Sequence, residues 1–575
     1  LVSTNELAIH MGLPRHSVRG LPVVEHAPFA QEVIAKRDSG EKTINIGSIY
    51  HLGEKTGTEV DLDLKSLSMH TFITGSTGSG KSNAVYRLLA EVRRKGIPFL
   101  VIEPAKGEYK DVFTNIKCYG TNPKIGELLK INPFSFPEGI HVLEHIDRIV
   151  EIFNVCWPMY AAMPAVLKES IEQAYISAGW DLDLSENTKV DDLFPTFDDV
   201  LRELNTTIQS SDYSADTKGD YIGSLSTRIK SLTNGINGRI FVNDEMNPED
   251  LFDKSAIIDI SRVGAMETKS LIMGLVVLKL QEYRMANQAE MNSSLKHITV
   301  LEEAHNLLKK TSTEQSAESS NITGKSVEML TNAIAEIRTF GEGFVIVDQA
   351  PNLLDTAAIR NTNTKIVLRL PESGDREITG GAIALKEPQF KELSKLPTGV
   401  AAIYQNDWQE AVLCALPKYE SFDYGGRKSE DIKPIEVRKS KSRELLHLLL
   451  KRNLDEDETI RIRKMIRTAN APAKVRKDLF LNLEKRNRVF EWAAADFINK
   501  NFEFSDIFRG TSKCAGLEEL YTIMRQNIEE EFGDFDEEEL YAVTYFICRI
   551  EHERHPDNTA IELLRTKYLR EKVMV

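Results

Sequence analysis

Cysteine is scarce, with five in 575 residues: Cys118, Cys156, Cys414, Cys514 and Cys548. They lie far apart and form no CxxC pair, so neither a disulfide framework nor a thiolate zinc site is written in the sequence. The expectation is buried or free thiols in a reducing cytoplasm. Long apolar runs are missing as well. The best, LIMGLVVL at 271–278, stops at Lys279, far short of the ~20 residues of a membrane span. No secretory leader pattern opens the chain. Its first residue is Leu1, so the numbering is expected to begin inside a longer protein. Basic residues are outnumbered, 72 Lys and Arg against 87 Asp and Glu, for a net charge of −15. That argues against a simple basic DNA-coating protein but leaves room for local basic loops lining a pore. Zinc-finger, helix-turn-helix and RNP-like aromatic patterns are absent.

An apolar content of 41% and a charged content of 28% describe a soluble globular chain with a sizeable core. At roughly 150 residues per domain, the length fits about three or four units. Residues 1–45 read as a lead segment broken by Gly12, Pro14, Gly20, Pro22 and Pro28. From residue 46, short strands alternate with helices up to about 140. MHTFITG (69–75) reads as a strand and Lys81 to about Lys95 as a helix, ended by Gly96 and Pro98. IPFLVIE (97–103) reads as a second, buried strand. Such β-α-β alternation predicts a parallel sheet covered by helices. Residues 141–240 read as a helical insertion. The strand pattern resumes over 241–420 with AIIDI (256–260), HITVL (297–301), GFVIVD (343–348), KIVLRL (365–370) and VAAIYQ (400–405). A linker around 421–431 leads into a charged helical region that reaches 575.

The chemistry begins at Gly75-Ser76-Thr77-Gly78-Ser79-Gly80-Lys81-Ser82, which fits GxxxxGK[ST] between an apolar strand and a helix. Glycines let the backbone wrap with its N–H groups inward, and the helix N-terminus adds positive charge. Lys81 is expected to reach the β- and γ-phosphates of ATP, and the Ser82 hydroxyl to hold Mg²⁺; Asn83 follows on the same turn. A glycine-rich turn without a ligand is the plain alternative. HITVLEEAHN (297–306) then ends an apolar strand in two adjacent acids. One carboxylate at a neighbouring strand end holds the metal and a second activates water. Glu302 is assigned to the metal and Glu303 to the water. The bland reading is that one of them caps a helix over Ala304–Lys310. Gln349 stands at the tip of the next strand, placed to sense the γ-phosphate, or else is only a turn residue before Pro351. Arg338 is the first candidate for an arginine finger reaching a neighbouring subunit's site, with Arg360 and Arg369 as alternatives; ordinary salt bridges would use them as well.

GSTGSGKS, IEPAKGEY (102–109), VLEEAHN (300–306), VDQAP (347–351) and NTKIVLRL (363–370) together resemble the HerA group of the HerA–FtsK ATPases over roughly 43–415. The resemblance implies a RecA-like core and a homo-hexameric ring. It implies ATP-driven translocation of double-stranded DNA and magnesium dependence. It also implies a partner effector, a nuclease or a sirtuin-like NADase, in DNA end processing or bacterial anti-phage defence. Relatives often carry aspartate where Glu302 stands, and arginine where this chain has Met69-His70. They begin with a small partner-docking β-barrel, which is expected to be absent here or to lie ahead of this numbering. STNELAIHMGLP and IEPAKGEY also resemble conjugation and type IV secretion ATPases, and a nucleotide-gated scaffold that assembles an effector is a third reading. Glu108, beside Glu103, is a candidate for the nucleotide site or a subunit contact, whereas Tyr109 reads as packing. DNA contacts are expected from Lys309, Lys310 and Lys325 around the loop 311–326, and from Arg228, Lys230 and Arg239; solvated surface charge is the ordinary reading of each.

Overall fold

The computed structural model describes residues 26–33, 42–122, 126–287, 293–311, 322–420 and most of 444–569, besides residues 3–5 and 19. Most of the lead segment, the loop 312–321 and the linker at 421–431 lie outside the described residues. The strands are β1 (Thr43–His51), β2 (Glu54–Asp63), β3 (Thr71–Thr74), β4 (Phe99–Glu103), β5 (Lys117–Gly120), β6 (Glu127–Leu128) and β7 (Trp180–Asp181). They continue as β8 (Glu186–Asn187), β9 (Ala256–Asp259), β10 (His297–Leu301), β11 (Glu342–Asp348), β12 (Thr364–Val367), β13 (Val400–Gln405) and β14 (Val412–Ala415). The chain divides into two compact units, and the division falls inside β4.

The first unit comprises residues 1–101, 290–311 and 331–422. Its strand order is β2-β1-β14-β13-β12-β3-β11-β10. The four strands β12, β3, β11 and β10 run parallel, and β13, β14, β1 and β2 extend the sheet in antiparallel fashion. Every residue of β3, β10, β11 and β12 is buried, as expected of strands covered on both faces. The register sets Thr74 of β3 level with Asp348 of β11 and Val367 of β12, and Leu301 of β10 level with Ile346. The C-terminal ends of four strands therefore meet at one edge of the sheet, where open α/β sheets hold ligands. β12 stops at Val367, three residues short of the sequence reading. There the Leu368 N–H still bonds Thr74 O, but the chain then turns across the end of β3, with the Arg369 carbonyl taking the Ser76 N–H.

The second unit comprises 102–289, 312–330 and 423–575. It holds the parallel strands β9-β5-β6 and, over the segment read as an insertion, the helices Val142–Cys156, Met163–Ala178 and Phe197–Ser210. The C-terminal helices Glu456–Thr468, Ala473–Asn482, Leu517–Phe532 and Glu537–Arg554 surround Ile462, Leu479, Phe497, Met524, Leu540 and Ile547. Two of them start at capping boxes, Asp455/Glu458 and Asp536/Glu539. This bundle is tied to the insertion helices. The Ala473 N–H donates to both carboxylate oxygens of Asp199 at 3.0 Å. Arg476, fully buried, donates to the carbonyls of Ala471, Arg467 and Phe194. The cysteines are free, four of them buried. Among the described residues no helix is long and apolar enough to cross a membrane.

Candidate nucleotide site

β3 ends at Thr74, and the chain wraps through Gly75–Gly80 into the helix Lys81–Arg94. Gly78 and Gly80 take positive φ, 76° and 103°, which L side chains adopt only under strain. A Cβ on Gly75 would meet Leu368 Cβ at 2.7 Å and Ser79 Oγ at 2.6 Å. The loop is braced from the β12–β13 side: Gly399 N donates to Ser79 O at 2.9 Å and Thr398 Oγ1 to Gly78 O at 3.1 Å. The N-cap residue is Gly80, which has no side chain to cap the first turn, and this leaves N–H groups for an anion. The buried hydroxyls of Ser76 and Ser79 have no partner among the described residues, in keeping with a cradle shaped for a polar ligand.

Lys81 is buried and points back at the end of β10, with Nζ 3.5 Å from Glu302 Oε2 and 3.7 Å from Glu303 Oε1. The two strand-end acids and the loop lysine are therefore brought together. Ser82 is the second residue of the same helix, and with Glu302 it offers hard oxygen donors of the kind Mg²⁺ takes beside a polyphosphate; the residues present fit that ion. Gln349 lies between loop and acid: its Nε2 donates to Glu303 Oε1 at 2.6 Å, and Thr77 Oγ1 donates to its Oε1 at 2.9 Å.

Other candidates fall elsewhere. The Asn83 amide is taken by the Pro417 carbonyl and the Tyr419 N–H, so its side chain serves the segment after β14. Arg338 is exposed and precedes β11. It therefore stands at the N-terminal edge, about 20 Å along the strand from the phosphate loop, and cannot serve its own chain's site. Arg360 precedes β12 at that same edge, whereas Arg369 lies beside the loop. Glu303 does not start an α-helix. It sits in the left-handed region at φ 46° and ψ 52°, followed by a short 3₁₀ turn, Ala304–Asn306. In the second unit, Glu103 accepts the N–H groups of Glu108 and Tyr109, Glu108 is exposed beside Lys106, and Tyr109 is buried. Lys230, Arg239, Lys309, Lys310 and Lys325 are exposed, whereas Arg228 is engaged with Pro158 O and Ser224.

Two residues at the site escaped the sequence reading. Asp348, the last residue of β11, is fully buried and accepts from His305 N at 2.8 Å and His305 Nδ1 at 2.9 Å. That hydrogen bond raises the His305 pKa above the usual histidine value, against opposing desolvation.

The sheet order and the glycine loop at the end of its central strand define a RecA-like P-loop NTPase of the α/β class. Residues 44–280 match the family model "Helicase HerA, central domain". The chain is 24% identical over 390 residues to the DNA double-strand break repair helicase HerA of Sulfurisphaera tokodaii, covering 66% of this chain and 70% of that one. It is 26% identical over 397 residues to the protein of the same name from Sulfolobus acidocaldarius, covering 68% and 73%. In fold it is similar to VirB4 of Thermoanaerobacter pseudethanolicus, with a TM-score of 0.50 at 17% identity, covering 66% of this chain and 98% of that one. Over residues 44–280 the chain is thus similar to the central domain of HerA helicases.

Proposed function

We propose that this chain is an ATP-hydrolysing motor that translocates double-stranded DNA as a hexameric ring and acts with a partner nuclease or NADase. The observation that carries the ATPase reading is the convergence of Lys81, Glu302 and Glu303 at the end of β3 and β10. Likeness to helicases named for DNA double-strand break repair supports the DNA substrate. The ring, the partner effector and its place in DNA end processing or anti-phage defence rest on the HerA resemblance alone.

In this reading the N–H groups of the loop and of the first helical turn hold the phosphates. Lys81 leaves the two acids and pairs with the β- and γ-phosphates, while Ser82 and Glu302 would hold Mg²⁺. When bound, that ion neutralises charge on the β- and γ-oxygens. Glu303 accepts a proton from the attacking water, and Gln349 reports on the γ-phosphate. Arg338 belongs to the neighbouring subunit's site, since its own site lies at the other edge of the sheet.

The decisive experiment is ATP turnover measured with and without linear duplex DNA. Stimulation by duplex is expected; turnover that never responds to duplex at any concentration would remove the translocase reading. Lys81→Ala should lose nucleotide binding, while Glu303→Gln should bind and turn over only at a residual rate. Mixing Arg338→Ala with Glu303→Gln subunits should restore some turnover, and no rescue at any ratio would remove Arg338 as a finger acting between subunits.

A further inference from the structure

Glu303 is the residue on which hydrolysis turns in the reading above, yet its own backbone does not favour the position it holds. Its φ of 46° is one that acidic residues take at a cost, so something must fix both the turn and the carboxylate. The fixing groups come from two consecutive residues at the end of β11. On one side, Gln349 Nε2 donates to Glu303 Oε1 at 2.6 Å. On the other, Asp348 Oδ2 accepts the His305 backbone N–H at 2.8 Å and the His305 Nδ1 proton at 2.9 Å, while its Oδ1 accepts the Ala350 N–H at 2.9 Å. Those bonds pin the chain two residues after Glu303 and set the His305 ring. His305 Nδ1 then stands 3.7 Å from Glu303 Oε2. One donor atom from each of Glu303, His305 and Asp348 lies within 4.8 Å of the others.

We infer that Asp348 and His305 form a positioning dyad for Glu303. Asp348 takes the Nδ1 proton and fixes the imidazole, and the fixed ring, 3.7 Å from Oε2, limits the swing of the carboxylate so that it stays directed at water when Gln349 lets go of Oε1. The inference rests on Glu303 being the base. Neither residue touches the reacting atoms; both act through Glu303. Gln349 has a second partner in Thr77 of the phosphate loop, so its grip is open to change as the loop fills. The Asp348–His305 grip involves no atom of the loop.

The test compares kcat for ATP and the affinity for a fluorescent ATP analogue in His305→Ala, His305→Gln and His305→Asn, each made in the wild-type and Glu303→Gln chains. The asparagine amide nitrogen takes the place of Nδ1, whereas that of glutamine takes the place of Nε2. Ala and Gln should therefore lower kcat by about 10–100-fold, the usual effect of a small misplacement of a catalytic group, with analogue affinity kept within about threefold. His305→Asn should recover most of kcat. In the Glu303→Gln chain, followed through its residual hydrolysis over long incubations, none of the three should change the rate further. Asp348→Asn should behave as His305→Ala if it folds; the half-buried His305 series carries the test if it does not. Wild-type kcat in His305→Ala would overturn the dyad. So would an affinity loss that matches the kcat loss, or an equal further drop in the Glu303→Gln chain. Full turnover by Glu303→Gln itself would overturn the base assignment instead, so the two failures are told apart.

Discussion

The left-handed backbone of Glu303 yields a prediction in which stability and activity part company. Glu303→Ala and Glu303→Gly remove the same contacts, those to Lys81, Gln349 and His305. They differ in one Cβ, held at φ 46° and ψ 52°. An L-residue there costs about 1–2 kcal/mol that glycine does not. Glycine returns about 0.4–1 kcal/mol of this through the greater freedom of its unfolded chain. At the middle of these ranges the balance favours Gly over Ala by about 0.8 kcal/mol. In a folding unit of roughly 200 residues that separates the melting temperatures by about 1–4 °C. Scanning calorimetry of the two full-length variants without nucleotide should show Glu303→Gly melting higher, although both lose hydrolysis. An alanine variant that melts at or above the glycine variant would refute the claim that the site stores backbone strain.

Three further outcomes follow from particular groups. Burial holds His70 neutral, with its pKa lowered to about 4; the unfolded chain takes up that proton first, so stability should fall by about 3 kcal/mol as pH drops from 6.5 to 4. His70→Asn keeps an acceptor for the Phe344 N–H, tolerates the φ of 66° and has no proton to bind, so its acid limb should be shallower in thermal melts; parallel limbs would refute this. Arg476→Met strands the carbonyls of Ala471, Arg467 and Phe194 and should cost about 3 kcal/mol or more, read as faster amide exchange in the helices Glu456–Thr468 and Ala473–Asn482; unchanged exchange would count against that anchor. Gln349→Ala cuts the link from Thr77 to Glu303 and should lower kcat about tenfold with nucleotide binding retained, whereas an unchanged kcat would make Gln349 a turn residue only.

The phosphate loop, Lys81 and the two acids were legible because each is a local pattern: glycine spacing after a strand, or acids at an apolar strand's end. The central strands were legible for the same reason, as unbroken runs such as GFVIVD. Asp348 and His305 were not. Their bond depends on the parallel register that sets Leu301 against Ile346, and no periodicity within either segment encodes it. The Asp199–Ala473 bond is a case of the same kind, joining residues 274 positions apart. The helix reading at Ala304–Lys310 shows the reverse error. Locally those residues suit a helix, but Asp348 takes the His305 N–H and turns the chain aside after three residues.

Two adjacent carboxylates at a buried strand end are tolerable only if their charge is balanced in every state the site visits. In the structure Lys81 stands between them, and His305, bound to Asp348, flanks Glu303. If Lys81 is given over to phosphate, both acids lose a cation at once. In the proposed mechanism Glu302 would regain one, since Ser82 and Glu302 would hold Mg²⁺. Glu303 has no such replacement: a metal ion on both oxygens would spoil it as a base, and a second lysine would hold it in an ion pair. A histidine bound by its own buried aspartate, with Nδ1 3.7 Å from Glu303 Oε2, flanks the carboxylate without closing that pair. The same geometry explains why Asp348 must be buried and fully bonded. An aspartate free to turn would take the His305 proton's partner away from the position that serves Glu303.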